Sequence, residues 1–132
     1  MRDAVKLLRI ISTLNPKYGG PSSAIIDNSL YLKSKGIKVD IITNDPKSSN
    51  FYKDNKLKVI NIGSKYLPIS FNPFLFFWIL KNKGKYNNFV IHGIWELNTL
   101  IAKLLLKKNY YVFTHGQLDP YFKSEKIKFI RI

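Results

Sequence analysis

The chain contains no cysteine in its 132 residues, which removes disulfide bridges, thiolate metal sites and cysteine nucleophiles from consideration. That absence fits a chain working in the reducing cytoplasm. Histidine is nearly as scarce, with two copies, and only eight residues are acidic. So few imidazoles and carboxylates supply no convincing metal-ligand set, and no metal is expected. They also leave the paired carboxylates of a glycosidase unassignable. The strings GxGxxG, GxxxxGK[ST] and GxSxG do not occur, so the common phosphate loops are not indicated and a serine hydrolase is poorly supported. Long apolar runs are missing too. The most apolar one, residues 71–80, is about half of what a membrane-spanning helix needs. Asp3, Lys6 and Arg9 interrupt the N-terminal stretch, leaving no signal-peptide core.

What is present reads as globular. Hydrophobic residues make up 45% and aromatics 14%, and the length suits one domain rather than two, so residues 1–132 are taken as a single domain. Lysine and arginine outnumber acids 22 to 8, for a net charge of +14. Such an excess points to a polyanion: nucleic acid, an acidic membrane surface or nucleotide phosphates. Only Arg2, Arg9 and Arg131 are arginines, however, and the lysines are scattered as a base-composition bias would scatter them. The arginine clusters that bidentate phosphate and base recognition favours are missing, so no nucleic-acid partner is expected.

The order of elements follows from periodicity and turn chemistry. Residues 5–13 (VKLLRIIST) form an apolar, β-branched run ending in Asn-Pro and Gly-Gly-Pro turns, as a strand buried on both faces does. Residues 22–35 read as a helix stopped by Gly36, residues 38–43 as a second strand ended by Asn44-Asp45-Pro46, and residues 57–62 as an edge or half-exposed strand. Residues 73–83 are apolar nearly all round, with Lys81 and Lys83 at the far end. They suit either a helix buried on a sheet or one that seeks a membrane interface. A strand at 88–92, a helix at 96–108, a strand at 110–114 and a last helix at 120–132 complete the pattern. Short strands alternating with helices predict an α/β, Rossmann-like domain, a mainly parallel sheet with helices on both faces.

In such a sheet, ligands bind beyond the carboxyl ends of the strands where strand order reverses. Three turn-rich segments fall at such ends. Residues 15–23 (NPKYGGPSS) carry Gly19 and Gly20 just ahead of a helix N-terminus, which favours anions. Residues 92–96 (HGIWE) and 115–120 (HGQLDP) place both histidines, His92 and His115, in the same His-Gly context after successive strands. If the first and fourth strands are neighbours, Gly19, Gly20 and His92 flank one crevice, with His115 one strand further.

Four ordered strings also carry a family resemblance: residues 11–21 (ISTLNPKYGGP), 35–43 (KGIKVDIIT), 90–95 (VIHGIW) and 114–121 (THGQLDPY). Together they resemble the N-terminal half of the family 4 glycosyltransferases of the GT-B fold, over nearly the whole chain. Thr114 and Gln117 stand where that family commonly has Pro and Met, and Tyr121 stands in place of Trp. The resemblance implies an acceptor-side Rossmann-like domain of a retaining hexosyltransferase acting in cell-surface polysaccharide or lipopolysaccharide assembly. Its co-substrate is a nucleotide-sugar donor, its acceptor a glycan or glycolipid, and it needs no bound cofactor.

By position, the resemblance implies that His115 contacts the transferred sugar as the catalytic residue and that the Gly19 and Gly20 amides border the donor diphosphate. It places His92, Trp95 and Asp119 along the acceptor cleft. The nucleotide-binding C-terminal domain of such enzymes is absent from these 132 residues. The chain alone is therefore expected to be inactive and to leave an apolar edge or face uncovered. The expected location is cytoplasmic, peripheral on the inner face of the membrane if residues 71–85 meet anionic lipid. The alternatives are a non-catalytic sugar- or nucleotide-binding module and a basic nucleic-acid binder.

Overall fold

The computed structural model describes residues 4–18, 21–66, 72–93, 97–106 and 110–113. Five strands, β1 (Lys6–Ile11), β2 (Lys38–Pro46), β3 (Lys58–Gly63), β4 (Asn88–His92) and β5 (Tyr110–Phe113), form one sheet in the order β3-β2-β1-β4-β5. Every pairing in it is parallel. The chain is an α/β protein with a Rossmann-like sheet. Strand order reverses between β1 and β4, the neighbours that the crevice argument requires.

Among the described residues, three α-helices cover the sheet. Helix α1 (Pro21–Ser34) lies on one face, and α2 (Phe74–Asn82) and α3 (Leu97–Leu105) lie side by side on the other. Alternation along the strands sorts the core. From β1, Leu8 and Ile10 meet Leu75 and Ile79 of α2 and Ile101 and Ala102 of α3, whereas Ile11 packs with Ile25 of α1. Each fully buried Leu or Ile contributes about 1.5–3 kcal/mol relative to exposure. Helix α1 stops as its sequence predicts. Gly36 has φ +85°, and the Ile37 and Gly36 amides donate to the carbonyls of Leu32 and Lys33, with Leu32 and Ile37 in one apolar cluster.

The end of β2 and the sidedness of α2 differ from the sequence reading for physical reasons. β2 runs on through Asn44 and Asp45 to Pro46, because a register irregularity between Thr43 and Pro46 lets the proline end the pairing with Gly63. Helix α2 is not buried all round; Leu75 and Ile79 face the core while Phe74, Phe77 and Leu80 are exposed. β3 is an edge strand, as its alternation indicates. The helix expected at 120–132 lies outside the described residues. Among the described residues no helix is long and apolar enough to cross a membrane.

Candidate functional site

The carboxyl ends of β1 and β4 meet at the reversal point, and the polar groups there centre on an arginine. Arg9 lies within β1 on the face that α1 covers, and it is 5% exposed. Its Nη1 donates to Nε2 of His92, the last residue of β4, at 3.2 Å, and its Nη2 donates to Oδ1 of Asn28 on α1. Nε of Arg9 is buried without a hydrogen-bond partner, and among the described residues Arg9 makes no ion pair. Burial pulls its pKa below the ordinary arginine value. A guanidinium remains protonated regardless. Among the described residues, the site therefore holds a desolvated positive charge whose partners are neutral.

That charge determines the state of His92. Because a guanidinium only donates, Nε2 of His92 is the acceptor, so the proton of the neutral ring resides on Nδ1. The ring is 5% exposed and stacks on Phe113 of β5, centroids 5.6 Å apart and planes 25° apart. Gly93 follows with φ +95°, a left-handed conformation that turns the chain off the sheet while its amide donates to the Phe113 carbonyl at 2.8 Å. The His-Gly pair thus has a structural logic: one residue presents a ring at the rim and the next permits the turn behind it.

A second polar group anchors the loop leaving β1. Asp45, at the end of β2 and 1% exposed, accepts from Thr13 Oγ1 at 2.5 Å and from the Leu14 amide at 2.9 Å. The Asn44 amide donates to the Ser12 carbonyl at 2.9 Å. The path toward the diglycine segment is therefore set by β2, and the Asp45 carboxylate is committed to that task. Sequence reasoning treated Asn44-Asp45-Pro46 only as a stop signal.

A concavity of about 620 Å³ opens further along the same rim, at the carboxyl ends of β2 and β3. Its walls include Tyr66, Phe74 and Trp78, and Lys47 and Lys65 supply cations. The size is that of an ordinary small-molecule pocket.

Of the residues singled out in the sequence, His92 is placed at the reversal point as expected. Gly19, Gly20, Trp95, His115 and Asp119 lie outside the described residues. Arg9 and Asn28 were missed, although a signal existed: Arg9 is the one charge inside an otherwise apolar strand interior, LLRII. Comparison with protein-family models, with curated proteins and with solved structures returns no match to this chain.

Proposed function

We propose that this chain is the acceptor-side domain of a retaining glycosyltransferase, one that moves a sugar from a nucleotide-sugar donor to a cell-surface glycan or lipid-linked acceptor. A nucleotide-binding domain completes its cleft. The observation that carries the reading is the buried Arg9 guanidinium at the strand-order reversal, which has no counter-charge among the described residues. Buried charge without a counter-charge is costly, and an anion at the rim offsets that cost. A donor diphosphate is such an anion. In the transfer, the bond from the anomeric carbon to the diphosphate oxygen breaks, a bond to the acceptor oxygen forms, and the acceptor hydroxyl's proton passes to the departing diphosphate. Negative charge accumulates on the diphosphate, where the positive field of Arg9 and the amides of Gly19 and Gly20 are most useful.

Within this proposal Arg9 and His92 have different tasks from His115. Arg9 is a positioning residue that fixes the His92 tautomer, and His92 lines the cleft, as do Trp95 and Asp119. His115 is the group that contacts the transferred sugar. The pocket bounded by Trp78 and Tyr66 takes the acceptor, its two lysines favouring a phosphate-bearing one.

One observation favours a second reading, a binding module without turnover. Nε2 of His92 already accepts from Arg9 and so is not available to take a substrate proton. Calorimetric titration of nucleotide sugars separates the two readings, with the chain alone and with the chain joined to a nucleotide-binding domain. The transferase reading predicts sugar transfer by the joined protein, and the module reading predicts binding with no transfer by either. Absence of binding to both proteins refutes the site itself.

A further inference from the structure

We propose that the opposite rim of the sheet, at the amino ends of β2 and β3, holds a binding site for a short polyphosphate chain. A concavity of about 280 Å³ opens there, and four exposed lysines line it. Lys33 comes from the last turn of α1, Lys38 starts β2, Lys56 lies just ahead of β3 and Lys58 starts that strand. Among the described residues the lining holds one acid, Asp40, and its Oδ2 accepts from the Tyr86 hydroxyl at 2.6 Å. The Asp54 carboxylate reaches Lys56 at 3.7 Å, but both side chains are exposed and water screens the pair. Strand register concentrates the charge further. Lys6 of β1 is the parallel partner of Lys38, and Lys58 is the partner of Asp40, two residues along from Lys38. Neighbouring strands lie about 4.8 Å apart, so Lys6 and Lys38 set like charges side by side, a repulsion that a bound anion relieves.

The walls of this concavity are tied together before any ligand arrives. Lys33 Nζ donates to the Lys56 carbonyl, which pins the end of α1 to the segment leading into β3. The Leu32 and Lys33 carbonyls, which would repel an anion if bare, accept from the Ile37 and Gly36 amides. Gly36 borders the opening, and nothing lies within 4 Å of where its Cβ would be. The chemistry of the lining selects the ligand. Ammonium groups are compact point charges that suit phosphate oxygens. Among the described residues the lining has no aromatic ring for a base to stack on and no arginine to read a base edge, so it matches bare phosphates rather than a nucleic acid. β2 takes nine residues from this rim to the other, roughly 25 Å at 3.3 Å per residue. One diphosphate cannot reach both ends, and the lysine site stands apart from the Arg9 cleft and from whatever reaction that cleft supports.

The test is calorimetric titration of the full chain with inorganic tripolyphosphate, orthophosphate, ATP and oligothymidylate. The expected result is tripolyphosphate binding that weakens with salt and exceeds orthophosphate binding by roughly tenfold or more. Lys38→Gln with Lys58→Gln changes exposed side chains only, and it is expected to weaken tripolyphosphate binding by roughly tenfold or more with an unchanged circular dichroism spectrum. Lys17→Gln with Lys103→Gln removes the same charge from residues outside the concavity and is expected to leave binding within about twofold, as is Arg9→Met at the other rim. In thermal melts tripolyphosphate is expected to raise the midpoint of the native chain but not that of the Lys38→Gln/Lys58→Gln variant. The triphosphate tail of a nucleotide offers the same chemistry: ATP bound more tightly than tripolyphosphate identifies a nucleotide as the source, and equal or weaker binding identifies the inorganic chain. Absence of tripolyphosphate binding overturns the proposal, as does binding that the two pairs of lysine substitutions weaken equally. Oligothymidylate bound more tightly than tripolyphosphate, and lost in the Lys38→Gln/Lys58→Gln variant, assigns the rim to nucleic acid instead.

Discussion

Replacing Arg9 by Met probes the buried charge, and its effect can be worked from the structure. Met keeps much of the side-chain volume, so the cavity cost is small. Removing the guanidinium takes a hydrogen bond from the buried Nε2 of His92, at about 1–3 kcal/mol. Asn28 is exposed, and water replaces its lost partner. Against that loss stands the relief of a desolvated charge; exchanging buried ions for apolar groups is often neutral or stabilising by about 1–4 kcal/mol. Loss and gain together put Arg9→Met between about 2 kcal/mol of lost stability and about 3 kcal/mol of added stability. Urea unfolding measures it as a shifted midpoint at constant m-value. Ligand shifts the comparison toward the native protein: a nucleoside diphosphate at about 100 times its Kd adds about 2.7 kcal/mol to the native protein and nothing to the variant. A variant destabilised by more than about 2 kcal/mol without ligand refutes the reasoning, because it means that the guanidinium is held by a counter-charge.

The remaining predictions concern the frame around the site. Asp45→Ala is expected to lower stability by about 2–4 kcal/mol, since two hydrogen bonds from the β1 loop lose their buried acceptor, and to raise amide exchange at Leu14. Gly63→Ala is expected to destabilise by at least 3 kcal/mol in thermal melts. Its Cβ would sit 1.8 Å from the Asn44 carbonyl oxygen, and neither backbone can yield without breaking the β2–β3 pairing. Tyr86 donates to Oδ2 of Asp40 at 2.6 Å, and its phenol pKa is raised, by burial first and then by the Asp40 hydrogen bond and charge. Its native-state pKa exceeds the unfolded value of 10.0, so this contribution is complete below pH 10 and is lost as the pH rises above it. Denaturation at pH 7 and pH 11 is expected to show Tyr86→Phe weaker by about 1 kcal/mol at the lower pH and closer to the native protein at the higher one. Parallel pH dependences contradict that reading.

How legible each feature was depended on whether its cause is local. The fourth strand was read to the residue, because NFVIH is a short apolar run between turn formers and nothing elsewhere modifies its ends. The end of β2 was misread: Asn44-Asp45-Pro46 has the chemistry of a turn, and only the distant Thr13 and Leu14 supply the donors that keep it extended. The sidedness of α2 was hidden for another reason. Seven of its residues are apolar or aromatic in an unbroken run, so no polar face marks which side meets the sheet. The position of His92 at the sheet rim was legible because a His-Gly pair after a short apolar run marks a strand end. Arg9 was not, because a lone charge in an apolar strand looks like an interruption until α1 and β4 are placed around it.

The state of the His92 ring tests the central claim most directly. Long-range nitrogen–proton spectra of imidazole-labelled protein distinguish the two neutral tautomers and report any ligand near the ring. An Nδ1-protonated ring is expected in the unliganded chain, with Nε2 as acceptor, and a shift of both nitrogens when a nucleotide sugar is added. An Nε2-protonated ring, or resonances unmoved at saturating nucleotide sugar, contradicts that claim.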